Sequence, residues 1–114
     1  MILIEIRCSE PGAAPRNVSG NSSRSTTILV WWDEVPVSKR HGEIISYTVF
    51  YWKTDGGSQG KEEKEKTKNR KVTLIGLQKY TDYTIQVLAS TIKGDGPRSR
   101  PTIVRTDQDS EYTQ

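Results

Sequence analysis

One cysteine and one histidine in 114 residues leave little room for metal or thiol chemistry. A structural zinc site draws on several Cys or His ligands, and a disulfide framework needs cysteines in pairs. Both are excluded, and so is most catalysis of the Cys–His or Ser–His type. No apolar run approaches the roughly 18 residues of a membrane-spanning helix, so no direct insertion into a membrane is expected. Met1–Ile6 is apolar, yet far too short for a secretory leader, and no basic segment precedes it. Missing too are a glycine-rich phosphate loop between strand and helix, and the basic–aromatic signatures of nucleic-acid modules. His41 stands alone, and the carboxylates sit in charge-mixed or turn segments. The chain reads as a non-enzyme with no cofactor, no metal and no nucleic-acid partner.

What is present suits one small domain. A chain of 114 residues can bury about two-thirds of its unfolded surface without staples. Hydrophobic residues make up 32%, and the 9 glycines raise the apolar share to about 40%, against a usual ~45–50%. The apolar residues are clustered, not diluted, which separates the chain from disordered sequences. A net charge of +3 and a pI near 9.1 permit a polyanionic partner without requiring one.

The clusters alternate with period two. In Thr26–Trp32 (TTILVWW), Ile28, Val30 and Trp32 share one face, Leu29 and Trp31 the other. In Ile44–Lys53, Ile45, Tyr47, Val49 and Tyr51 alternate with Ile44, Ser46, Thr48, Phe50 and Trp52. Val72–Leu77, Tyr83–Ile92 and Thr102–Thr106 continue the pattern. Breakers fall between: Pro36–Gly42, Asp55–Gly60 (with the turn signal Asp55-Gly56-Gly57), Lys79–Asp82 and Gly94–Pro97. No capped helical stripe interrupts them, so an antiparallel all-β sandwich is expected. Residues 61–71, KEEKEKTKNRK, read as an exposed edge strand or a mobile loop, their charges guarding a sheet edge.

Five motifs, in order, resemble the fibronectin type III family. Ala14-Pro15-Arg16-Asn17-Val18 resembles its first strand. Val30-Trp31-Trp32-Asp33-Glu34-Val35-Pro36 is similar to its second, with Trp32 in the core place. Ile45–Tyr51 resembles the third strand. Leu77 followed by Tyr83-Thr84-Ile85-Gln86-Val87-Leu88-Ala89 resembles the family's L-x5-Y-x-I-x-V-x-A run, and Gly94-Asp95-Gly96-Pro97 its last loop. Val35, where Pro is common, and Ile92, where a polar residue is common, depart from the pattern. The resemblance implies a seven-strand immunoglobulin-like sandwich over residues 13–107. Trp32, Tyr47, Leu77 and Tyr83 would be structural core residues, with Tyr83 as a tyrosine corner. It also implies a non-catalytic recognition or spacer module in the ectodomain of a multidomain adhesion molecule or receptor-type tyrosine phosphatase. Such a module lies outside the cell, in a secreted or single-pass membrane protein, and its partners are another protein or neighbouring domains. Two alternatives stay open: a spacer in a cytoskeletal or muscle protein, and a heparan-sulphate-binding module.

The ends point to a tandem arrangement. Ile6–Glu10 resembles Val104–Gln108, so residues 1–12 read as the tail of a preceding domain, a linker or a foreign remnant, with Pro11–Pro15 a stiff connector. Residues 108–114 are expected to form a flexible tail.

Four sets of residues are candidate sites. Asn17-Val18-Ser19 and Asn21-Ser22-Ser23 are acceptor triplets for N-glycosylation, with chance occurrence as the competing account. Lys93-Gly94-Asp95 sits where some family members carry an integrin-binding loop, although the same residues make a turn for conformational reasons alone. Lys39-Arg40-His41 and Lys66–Lys71 could gather as a heparan-sulphate patch, though Glu62, Glu63 and Glu65 cut the field. Finally, if Tyr47, Val49 and Tyr51 face inward, Phe50, Trp52 and Leu88 face outward and would form an exposed partner-binding patch. The competing expectation is that the 61–71 segment folds over it with its Lys stems.

Overall fold

A computed structural model of the chain describes residues 8–55 and 61–108. The Met1–Ile6 stretch, most of the Asp55–Gly60 turn and the Asp109–Gln114 tail lie outside the described residues. β-Branched and aromatic runs become strands because alternating side chains fit a half-buried pleated surface. The elements are β1 (Arg16–Arg24), β2 (Thr27–Asp33), a 3-10 turn (Val37–Lys39), β3 (Ser46–Lys53), β4 (Glu63–Thr67), β5 (Lys71–Leu74), β6 (Asp82–Thr91), β7 (Gly94–Asp95) and β8 (Thr102–Arg105). β7 is a two-residue bridge; without it, seven strands remain among the described residues.

All pairings are antiparallel, and they build two sheets. The smaller runs β1-β2-β5, and the larger runs β4-β3-β6, with β7 and β8 both pairing to β6. The charged 61–71 stretch thus supplies an edge strand, β4, beside β3. β1 is longer than its motif suggests, because pairing with β2 extends to Arg24 opposite Thr27. Its register shifts between Arg16 and Ser19, where Asn17 takes φ 54°, and again between Ser22 and Arg24. Asparagine tolerates this left-handed backbone better than most side chains.

Between the sheets lies one core. Ile28, Val30 and Trp32 from β2 meet Tyr47 and Val49 from β3 and Ile85, Val87 and Ala89 from β6, closed by Val35, Leu74, Leu77, Tyr83 and Val104. Trp32 and Tyr47 reach across in an edge-to-face contact, ring centroids 5.4 Å apart at 62°, a geometry that ring quadrupoles favour.

Residues 8–12 are strapped to one pole of the sandwich. Ser9 N–H donates to His41 O at 2.8 Å, and Gly12 N–H to Lys39 O at 2.7 Å. The Thr91 hydroxyl, at the end of β6, donates to Ser9 O at 2.7 Å. Pro11 is buried against Gly96, and the half-buried Cys8 sets its thiol beside Gly42.

Candidate interaction surfaces

Tyr83 opens β6 and is only 5% exposed. Its hydroxyl accepts a hydrogen bond from Gln78 N–H at 2.8 Å, tying the loop before β6 to the strand, with Leu77 buried at 7% exposure in that loop. The sequence offered no signal for the second half of this lock. Thr106, 1% exposed, donates its hydroxyl to Gln78 O at 2.7 Å and accepts from Thr81 N–H at 2.9 Å. A threonine after a short strand looks like any surface residue; only the tertiary fold buries it.

The outer face of the larger sheet corrects one expectation. Phe50 and Leu88 do point away from the core, since their neighbours Val49, Val87 and Ala89 are in it. They are nevertheless buried, at 8% and 5% exposure, so the exposed patch of Phe50, Trp52 and Leu88 does not form. The cover includes a cation from outside the 61–71 segment. Arg98 lays its guanidinium 3.6 Å from the centre of the Phe50 ring, and both its terminal nitrogens donate to the Glu62 carboxylate, at 2.8 and 3.1 Å. A guanidinium suits this place because it stacks on the ring face while keeping its donors free. Arg98 is held there by its neighbour: Ser99 N–H donates to Val87 O, and the Ser99 hydroxyl accepts from Val87 N–H at 2.9 Å. Leu88 lies between Thr48 on β3 and this 96–99 segment. Trp52, half-buried, and Ile103, 58% exposed, flank Thr84 on the same face and are what remains apolar at the surface.

Electrostatic pairs secure the rim. The hydrogen bond from Arg98 holds the Glu62 carboxyl below the usual carboxylate range. Asp82 is lowered in the same way by Arg105, whose guanidinium binds it at 2.7 and 3.2 Å and stacks on Tyr80 at 4.9 Å.

The remaining candidates are placed as follows. Gly94 and Asp95 form β7 opposite Thr91 and Ser90, and Asp95 accepts from the Ser90 hydroxyl at 2.5 Å. The carboxylate that an integrin-type reading needs is therefore engaged within the hairpin beside Lys93. The two basic segments do approach one another, across Glu34: Arg40 binds its carboxylate at 2.6 Å and Arg70 comes within 4.0 Å. Lys68, Asn69, Arg70 and Lys71 line a groove of about 600 Å³ with Trp31. Asn17 donates its side-chain amide to Asp33 at 2.7 Å, while Asn21 is exposed in mid-strand.

The family model of the fibronectin type III domain matches residues 13–105. Tyrosine-protein phosphatase Lar of Drosophila melanogaster is 43% identical over 100 residues, 87% of this chain and 5% of that protein. The human receptor-type tyrosine-protein phosphatase F is 39% identical over 103 residues, 89% of this chain and 5% of the relative. Mouse protein sidekick-2 is 39% identical over 104 residues, with 90% and 5% coverage. The chain thus spans about one-twentieth of the curated relatives it matches. Among solved structures, the third fibronectin III domain of human KIAA0343 protein superposes with a TM-score of 0.77 at 31% identity, covering 90% of this chain and 87% of that one. The FN5 domain of Drosophila Lar gives 0.69 at 33%, covering 85% and 97%. With the family model spanning residues 13–105 and a two-sheet sandwich that superposes on solved domains of that kind, this sequence belongs to the fibronectin type III family.

Proposed function

We propose that the chain is a non-catalytic recognition or spacer module in the ectodomain of a multidomain cell-surface receptor. The observation that carries this is the identity of about two residues in five with relatives whose names say receptor-type, over nearly the whole module. No helix among the described residues is long and apolar enough to cross a membrane. In such a protein the module would present side chains and fix the spacing of its neighbours.

The test is topological. An epitope inserted at Gln108 of the parent protein should be reached by antibody on intact cells. Staining that appears only after permeabilisation would overturn the ectodomain reading and favour the intracellular spacer. A heparan-sulphate role is disfavoured by Glu34, which takes up the charge of Arg40 and faces Arg70. Retention on heparin that is lost at moderate salt would reinstate it.

A further inference from the structure

β1 is an outer strand of the smaller sheet, and its pairing with β2 sets Asn21 opposite Leu29 and Ser19 opposite Trp31. Residues opposed in an antiparallel ladder point to the same face. Ile28, Val30 and Trp32 fill the core, so Leu29 and Trp31 point away from it, and Asn21 and Ser19 with them. Across β2, Leu29 meets Thr73 and Trp31 meets Lys71 on β5. Asn21 therefore stands directly beside a half-buried leucine and diagonally beside an indole that is 37% exposed.

We propose that Asn21 is the N-glycosylated acceptor of this module, and that the first sugars of its glycan lie across Leu29 and Trp31. The inference rests on the ectodomain reading above, since the modification belongs to the secretory route. The occupant of this apolar face is thereby tethered to it. Hexosamine rings carry an apolar C–H face and a polar rim, so stacking on an indole removes apolar surface from water while the hydroxyls stay solvated. Asn21 sits on an extended backbone between the two register shifts and is exposed. Asn17 is a poorer acceptor in the folded molecule, with φ 54° and its amide donated to Asp33.

The experiment uses the chain secreted from eukaryotic cells behind a cleavable leader, as wild type, Asn17→Gln, Asn21→Gln, Trp31→Thr and Trp31→Phe. Glycopeptide mass spectrometry should find Asn21 occupied. The glycosylated wild type should melt a few degrees above Asn21→Gln. That increment should vanish in Trp31→Thr and largely persist in Trp31→Phe, which keeps an aromatic face. Should Trp31→Thr fail to fold, the indole N–H resonance of Trp31 is read with and without enzymatic glycan removal, and it should move. An unoccupied Asn21, an increment unaffected by Trp31→Thr, or an unmoved indole resonance overturns the inference. The two readings fail separately: an empty Asn21 in a parent shown at the cell surface refutes only this one. An intracellular parent refutes the ectodomain reading, whatever the secreted chain shows of Asn21 as an acceptor.

Discussion

Replacing Tyr83 by phenylalanine deletes one oxygen and leaves the ring packed, so it isolates the lock between the Lys79–Asp82 turn and β6. The lost partner is Gln78 N–H, bonded at 2.8 Å in a partly buried setting. A buried donor left unsatisfied costs about 1–3 kcal/mol; because Gln78 itself is exposed, water can reach part of the site and the lower half, about 1–2 kcal/mol, applies. For a domain of this size, each kcal/mol moves the melting temperature by roughly 4–8 °C, so a fall of about 4–15 °C is expected. Urea denaturation followed by tryptophan fluorescence, paired with a thermal scan, measures both. Tyr80→Phe is the matched control. Its ring is 55% exposed and its hydroxyl receives only a 3.3 Å contact from Arg105, so its effect should stay within about 0.5 kcal/mol. Equal effects of the two variants, or no effect of Tyr83→Phe, would refute the assignment of the Gln78 bond as the stabilising element.

Three further outcomes follow from the geometry. Phe50→Ala should destabilise by about 2–4 kcal/mol in chemical denaturation, as for a buried ring and not for a surface one; a change under 1 kcal/mol would mean that Arg98 shields nothing. Glu62 has its folded-state pKa lowered, so its stabilising contribution is present above the unfolded value near 4.5 and disappears as pH falls through the folded one. Melting temperatures of wild type and Glu62→Gln should accordingly differ at pH 6 and converge as the pH falls below the usual carboxylate range. Gly42→Ala would set a methyl group 2.6 Å from the Cys8 sulfur on a backbone at φ 144°, so it should loosen the strap. Faster amide exchange at Ser9 and Gly12, and faster alkylation of Cys8, report it.

The core was legible because alternation says which face of a strand turns inward: Ile28, Val30 and Trp32 could be assigned from TTILVWW alone. The tyrosine lock was legible because a spacing carries it. What alternation leaves open is what covers the other face. Phe50 and Leu88 were placed on the correct side, and their exposure was misjudged because Arg98 comes from an irregular stretch with no period to read. The buried role of Thr106 and the docking of residues 8–12 escaped for the same reason. Each depends on contacts between segments far apart in sequence, and a local pattern does not encode them.

The strap at residues 8–12 also sets how tension would pass through the module. Ser9 is tied to Thr91 at one end of β6, while β8 pairs with Asp82–Ile85 at the other end. The chain therefore enters beside one pole and leaves beside the opposite one, with β6, ten residues and about 33 Å long, as the strut between them. A pull on the two termini drives β8 along its own axis against β6, so the bonds of that ladder share the load in shear instead of opening one by one. The strap bonds to His41, Lys39 and Thr91 lie upstream of the sandwich and would yield first, lengthening the chain by a few residues before either sheet is disturbed. Forced unfolding is governed by rates, not by equilibrium stability. This pole would then act as a short extensible leash in front of a stiff body.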